Sequence, residues 1–343
     1  MFDRLFRREQ FRCRKLREAA ERGDLAKVEK LIASDEELLW NDMQQDETAL
    51  HCAIRNEQHD VIQFLVEKSS FLDVRDQAGL TPLMAASKKG LPMLPVVKQL
   101  LARGADPNIA LEAGPNRGKT ALYFAAQSGC LPMVEALIED GASTKISTWN
   151  GMTAMHAAAE GGNAEVIRRL RNRRVDPNTL SKYGPRPIHL AARAGYKDAV
   201  AALIDMGVPV EAKDKDGATP LAIAAVHNEM RVARFLLDKG ADPNVRFKLD
   251  DAKTTPLRVA LLKRHEGMLK LLAESGANPE SKVGGVSVRF LTEQAEHRWA
   301  GMTLSLAACR RRKQAKERNK SVGKSGKKAE KATPTASPER SVE

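Results

Sequence analysis

The residues of this 343-residue chain with the means to do chemistry are seven histidines, four cysteines and one glycine-rich segment that ends in Lys-Thr. A metal centre needs His, Cys or carboxylate ligands at short, fixed spacings, and nucleophilic catalysis needs a Ser or Cys with a His to activate it. Neither pattern is present. His59, His227, His265 and His297 lack a second donor at ligand spacing, and Cys13, Cys52, Cys130 and Cys309 form no CxxC pair. Isolated cysteines of this kind are expected to be reduced thiols, some buried as small apolar residues, which points to a reducing compartment. The segment Gly114-Pro-Asn-Arg-Gly118-Lys119-Thr120 imitates a phosphate-binding loop, but three residues separate its glycines where the motif needs four, and no apolar strand precedes it. The sequence therefore predicts no catalytic residue, no metal and no cofactor.

The remaining histidines, His51, His156 and His189, share a context. Each ends a tetrad, and the tetrads begin at Thr48, Thr81, Thr120, Thr153, Arg186, Thr219 and Thr255, in steps of 33, 39, 33, 33, 33 and 36 residues. A period of 33 implies stacked supersecondary units, so function belongs to a repeated surface more than to one pocket. Gly90, Gly129, Gly162 and Gly195 follow nine residues after the tetrad's first member, and Gly-Ala-Asp-Pro-Asn closes two units at Gly104–Asn108 and Gly240–Asn244.

This pattern resembles the ankyrin repeat, over roughly residues 16 to 280. The resemblance implies an all-α solenoid of about eight helix-turn-helix units joined by β-turn fingers, with the tetrad histidines in structural hydrogen bonds between units. It also implies binding of a protein partner on the concave surface of finger tips and first helices. The residue types suit such a unit: Thr caps the first helix, Pro is pre-organised for its first turn, and Ala125-Ala126, Ala158-Ala159 and Ala191-Ala192 allow close helix packing. Second helices carry apolar residues at helical spacing, as in Val232, Phe235, Leu236 and Leu237, and end at Gly, where left-handed geometry is cheap.

The net charge of +12 lies at the two ends. Residues 1–18 carry a net +4 and residues 310–343 a net +8, which leaves the array between them neutral. Residues 1–15 read as a basic amphipathic leader in which Phe2, Leu5, Phe6, Cys13 and Leu16 form an apolar stripe, suited to capping the first repeat or to lying on a membrane surface. Leu16 to Trp40 reads as an atypical end repeat, as a cap requires. Residues 281–309 are expected to hold a closing helix, with Phe290, Leu291, Trp299 and Leu306. The run Arg310-Arg311-Arg312-Lys313 opens a basic, Ser- and Lys-rich tail expected to be disordered. Three readings stay open for that tail: a nuclear-import signal, a weak tether to nucleic acid or anionic lipid, or a solubilising segment. The expected location is the cytoplasm, or the nucleus if the source or host cell is eukaryotic.

Two insertions interrupt the period. Leu91 to Val96 contains two extra residues and two prolines, predicting a longer inter-helix turn; Glu112 to Lys119 carries four more, predicting an extended finger. By register, the concave surface includes Leu80, Lys88, Lys89, Arg117, Lys119, Gln127, Trp149, Met152, Glu160, Tyr183 and Arg193. Within it, Trp149, Met152 and Tyr183 form an apolar anchor rimmed by cations, which suits an acidic or helical protein partner bound by a monomeric chain. Finger-to-finger packing is the other reading of Trp149. Arg168-Arg-Leu-Arg-Asn-Arg-Arg174 is a second cationic cluster, either a solvated face or a contact for phosphate or an acidic partner.

Overall fold

The tetrads start helices for the reasons their residue types suggest. In the computed structural model, which describes residues 2–34, 38–43, 47–280, 282–283 and 286–287, Thr81 Oγ1 accepts a hydrogen bond from Met84 N (3.3 Å), Thr120 Oγ1 from Tyr123 N (3.3 Å) and Thr219 Oγ1 from Ala222 N (3.3 Å). Prolines 82, 187, 220 and 256 occupy the first turn of the helices they open, where no amide hydrogen is needed. Among the described residues the result is eight helix pairs in sequence. They are α1 (Phe2–Arg22) with α2 (Leu25–Ala33), α4 (Ala49–Arg55) with α5 (His59–Lys68), α6 (Pro82–Lys89) with α7 (Leu94–Ala102), and α8 (Ala121–Ser128) with α9 (Leu131–Glu139). The array continues through α10 (Ala154–Glu160) with α11 (Ala164–Asn172), α12 (Pro187–Arg193) with α13 (Lys197–Asp205), α14 (Pro220–His227) with α15 (Met230–Asp238), and α16 (Pro256–Leu262) with α17 (Glu266–Glu274). A short extra helix, α3 (Leu38–Met43), follows the first pair.

First helices pack on first helices and second helices on second helices, so the array has an inner and an outer layer. The main core runs between them as a continuous cluster from Cys13 to Ala277, and a smaller one gathers Ala218, Ala222, Val226 and Val259 around Phe247. Ala125, Ala126, Ala158, Ala159, Ala191, Ala192, Ala224 and Ala225 are fully buried, which lets successive inner helices approach at backbone distance. Asparagines clip the fingers together: Asn108 Nδ2 donates to Gly141 O and its Oδ1 accepts from Ser143 N, and Asn244 does the same with Gly276 and Asn278. Asn178 holds the equivalent place, but there the following unit offers Pro209, which has no amide hydrogen, and Asn178 Oδ1 is buried without a partner.

Gly141, Gly207, Gly240 and Gly276 close second helices with φ of +89°, +90°, +90° and +110°. Arg174 takes that position after α11 with φ +61°. Arg174→Gly is therefore expected to raise stability by about 1 kcal/mol, read as a higher urea midpoint at unchanged slope.

Some expectations need correcting. The leader does not end at residue 15: α1 is a single helix to Arg22, packed on α4, with Cys13 and Leu16 buried. The side chains of Phe2, Leu5 and Phe6 lie outside the described residues. In the link that precedes the expected closing helix, Lys282–Val283 pairs antiparallel with Val286–Ser287. Residues 288–343, with the expected closing helix and Arg310 to Lys313, lie outside the described residues. The proline-bearing insertion forms a 3-10 turn, Leu91–Met93, that leads into α7. The 36-residue step also contains an insertion: β1 (Phe247–Leu249) and β2 (Ala252–Thr254) make a hairpin whose turn residues, Asp250 and Asp251, both have positive φ (49° and 61°). Two positive φ values are the signature of a type I′ turn, which matches the twist of the strands it joins.

Candidate protein-binding surface

The longer finger after α7 is an ordered loop. Gly118 N donates to Leu111 O (2.7 Å) and Leu111 N to Lys119 O (2.9 Å), closing the inserted residues into a hairpin-like projection. The next finger lies against it, with Trp149 N donating to Arg117 O at 3.1 Å and Trp149 Nε1 to Pro115 O at 3.4 Å. Its other edge meets Tyr183 of the following finger in a T-shaped contact, ring centroids 5.2 Å apart. Both aromatic residues remain open to solvent, Trp149 at 46% and Tyr183 at 59%. Beside them lies a groove of about 820 Å³, whose cations are Arg75, Arg117 and Lys182. Its carboxylate, Glu112, is paired with Arg75 at 2.8 Å.

The inner helices carry a second set. Gln127 Nε2 donates to Glu160 Oε2 (3.3 Å) and Arg193 donates to Glu160 Oε1 (3.1 Å), a ladder across α8, α10 and α12. Lys119 is half-buried with Nζ 4.8 Å from the Tyr123 ring centre, and burial lowers its pKa against the pull of Glu160. Burial raises the Tyr123 pKa, and its hydroxyl has no hydrogen-bond partner. Further toward α4, Leu80, Lys88 and Lys89 line a pocket of about 300 Å³ with His51 and Arg55. Lys89 is tied there to Arg55 O (2.7 Å) and Glu57 (3.1 Å), and the Leu80 carbonyl receives His51 Nε2 (3.0 Å).

Of the residues assigned by register, Arg117 and Trp149 line the finger groove and Leu80, Lys88 and Lys89 the pocket near α4, with no lining residue shared; the other six line neither. Arg117, Trp149 and Tyr183 come together on the fingers. Met152 is half-buried against the core, so its apolar surface serves the scaffold. Gln127, Glu160 and Arg193 pair with one another. Lys182, a register position of the sixth repeat, lines the groove as well; Arg75 is the groove cation that register did not single out, and the signal available was its position on a finger flanking the insertion.

The tetrad histidines are buried parts of the frame. His189 Nδ1 accepts from Arg186 N (3.1 Å), and Nε2 lies 3.0 Å from both Ala212 O and Ala218 O in the next unit. Among the described residues, no group of three or more His, Cys, Asp or Glu is placed to hold a metal, and no helix is long and apolar enough to cross a membrane.

A model for ankyrin repeats matches four overlapping segments that together span residues 16–283. The chain belongs to the ankyrin-repeat family. Its array resembles the crystal structure of the human ASB11 ankyrin repeat domain, with TM-score 0.57 and 26% identity over 66% of this chain and 98% of that one. Among curated proteins it is 31% identical over 134 residues to the probable 26S proteasome regulatory subunit p28 of Saccharomyces cerevisiae, covering 38% of this chain and 57% of that protein. It is 34% identical over 111 residues to human ankyrin repeat and SOCS box protein 6, covering 30% of this chain and 25% of that protein. The ankyrin match to the Drosophila melanogaster protein mask, 36% over 104 residues, takes in 30% of this chain and 2% of that one. These matches therefore span from a small fraction to somewhat over half of each curated relative. Ankyrin arrays are protein-interaction modules that present extended surfaces, typically with no chemistry of their own.

Proposed function

We propose that this protein is a binding module or adaptor that holds a protein partner by equilibrium recognition, with its main contact on the finger-tip groove around Trp149 and Tyr183. The observation that carries this reading is the pair of large, solvent-open aromatic rings in edge contact beside a groove whose cations outnumber its one, already paired, carboxylate. Exposed Trp and Tyr beside Arg are the residue types that dominate interface energetics. Trp149 is fixed at its backbone and indole nitrogen to the lengthened finger, so the ring is pre-positioned and loses little freedom on binding. The partner chemistry that fits is an acidic segment with an apolar side chain to set against the two rings.

Affinity capture with the intact chain, a chain lacking residues 310–343 and a Trp149→Ala/Tyr183→Ala variant tests this. The double variant is expected to lose at least about 30-fold in affinity for the captured partner, equivalent to about 2 kcal/mol. The tailless chain should retain it. Undiminished binding by the double variant with a lower melting temperature would place both rings in the scaffold.

A further inference from the structure

The arginine-rich end of α11 takes no part in the finger groove. Arg169 is paired with Glu135 of α9 at 2.9 Å. Its exposed neighbours Arg168 and Arg171, and the exposed Arg231 and Arg234 of α15, have no ion pair or side-chain hydrogen bond among the described residues. One unpaired surface arginine signals little, because exposed pairs are themselves weak. Here the placement adds information. Arg168 and Arg234 stand at the same distance from the tetrads at Thr153 and Thr219, so they occupy one register position on α11 and α15, with the half-buried Ala201 of α13 between them. Two inter-helix steps set α11 and α15 roughly 16–20 Å apart, with the small Ala201 side chain leaving a trough between the two arginine positions.

One wall of that trough has an apolar seat. A groove of about 400 Å³ is lined by Lys197, Met230, Arg231, Arg234, Phe235 and Asp238. The Phe235 ring has the ammonium groups of Lys197 and Lys239 each 5.7 Å from its centre. The exposed carboxylates on the three helices are Glu165, Asp198, Asp205 and Asp238, against exposed cations that include Arg168, Arg171, Lys197, Arg231 and Arg234. Guanidiniums grip carboxylates through paired N–H donors, while Met230 and Phe235 give an apolar side chain a place to leave water.

We propose that this outer face is a second docking surface, which takes an acidic peptide segment laid across α11, α13 and α15, with carboxylates on Arg168 and Arg234 and one apolar side chain against Phe235. A phosphate backbone would use the arginines but leave the apolar seat empty, so the seat decides between a peptide and a nucleic acid.

The test is fluorescence anisotropy with the full-length chain and three labelled probes: a glutamate-rich octapeptide with one central Phe, the same peptide with Ala in its place, and an oligothymidylate of equal charge. The proteins are Trp149→Ala with Tyr183→Ala, which takes the finger groove out of the comparison, and the same chain with Arg168→Glu and Arg234→Glu added; the basic tail is present in both and its contribution is common. The first chain is expected to bind the Phe peptide at least 10-fold more tightly than the charge-reversed chain does, and about 5-fold more tightly than it binds the Ala peptide. Equal binding by the two chains overturns the proposal. So does a first chain that binds the oligothymidylate or the Ala peptide as tightly as the Phe peptide.

Discussion

Lowering the pH from 7.5 to 5 should remove about 4 kcal/mol of stabilisation that two histidines supply to the middle of the array. His156 and His189 are buried, and burial pushes each down to about 4 from an ordinary 6.5. The folded state therefore holds fewer protons than the unfolded chain between those values. The stabilising contribution is complete above pH 6.5 and disappears as pH falls toward 4, at about 2 kcal/mol per histidine by pH 5 and about 3 below pH 4. The atomic reason is visible at Nδ1, which accepts the backbone N–H of Thr153 in one case (3.2 Å) and of Arg186 in the other (3.1 Å). A proton there turns the acceptor into a donor and breaks the helix cap. His51 shifts in the same direction for the same cause, burial. Asp42 opposes them: burial pushes its carboxyl up to about 7, so its contribution is complete below its ordinary 3.8 and lost as pH rises through 7. Acid should thus tighten the first repeat while loosening the middle of the array. Urea titrations of the native chain and of His156→Gln/His189→Gln at pH 7.5 and 5 check this: the double variant should be less stable at pH 7.5 and should lose about 4 kcal/mol less than the native chain on the drop to pH 5. An unchanged pH difference in the double variant would refute the assignment.

Gly118→Ala is expected to destabilise by about 2–4 kcal/mol and to release Trp149 from its finger. Gly118 has φ +88°, and a Cβ there would sit 2.6 Å from Thr148 Cα and 2.9 Å from Ser147 O, both of them backbone. Neither neighbour can rotate away. Gly104 supplies the control, since it has φ +89° with nothing within 4 Å of the same position. Gly104→Ala should show the conformational penalty alone, about 1 kcal/mol, and the excess in Gly118→Ala isolates the contact between fingers. Because the Trp149 amide bonds to Arg117 O next door, the variant should also shift indole fluorescence and weaken partner binding. Equal costs for the two alanines would mean that the fingers separate freely.

The repeat register was readable from the tetrads because each motif residue has a local job: Thr caps, Pro starts, Gly turns. The same logic put His51, His156 and His189 at one repeated position, where each ring nitrogen Nδ1 meets the start of its own helix. What could not be read was partner choice among side chains of different units. Glu160, assigned as a surface position, is held by Gln127 and Arg193 from units on either side, and Lys119 lies over Tyr123 rather than standing clear as a rim cation. Those pairings depend on how far successive units rotate, which is a property of packing and is not encoded at any single position. The hairpin at Phe247–Thr254 was missed for a different reason. Its Asp250-Asp251 turn lacks the Asn-Gly or Asp-Gly that advertises a type I′ turn, leaving the 36-residue step as its only mark.

The tetrad's fourth residue also makes the joints between units unequal. His51 clasps Leu80 O and His189 clasps two carbonyls, whereas Met84 and Ala222 have no side-chain donor to offer, and the Tyr123 hydroxyl is buried without a partner. At the joint beyond Tyr123 the indole and amide of Trp149 provide the fastening instead. A solenoid pulled from its ends carries the same force through every joint in series, so extension concentrates where the fastening is weakest. At the joints after Met84 and Ala222, which lack a side-chain clasp from the tetrad, that load falls on the fingers instead, on Arg75 at the Ala110 carbonyl (3.0 Å) and Lys248 N at the Asp216 carbonyl (2.9 Å).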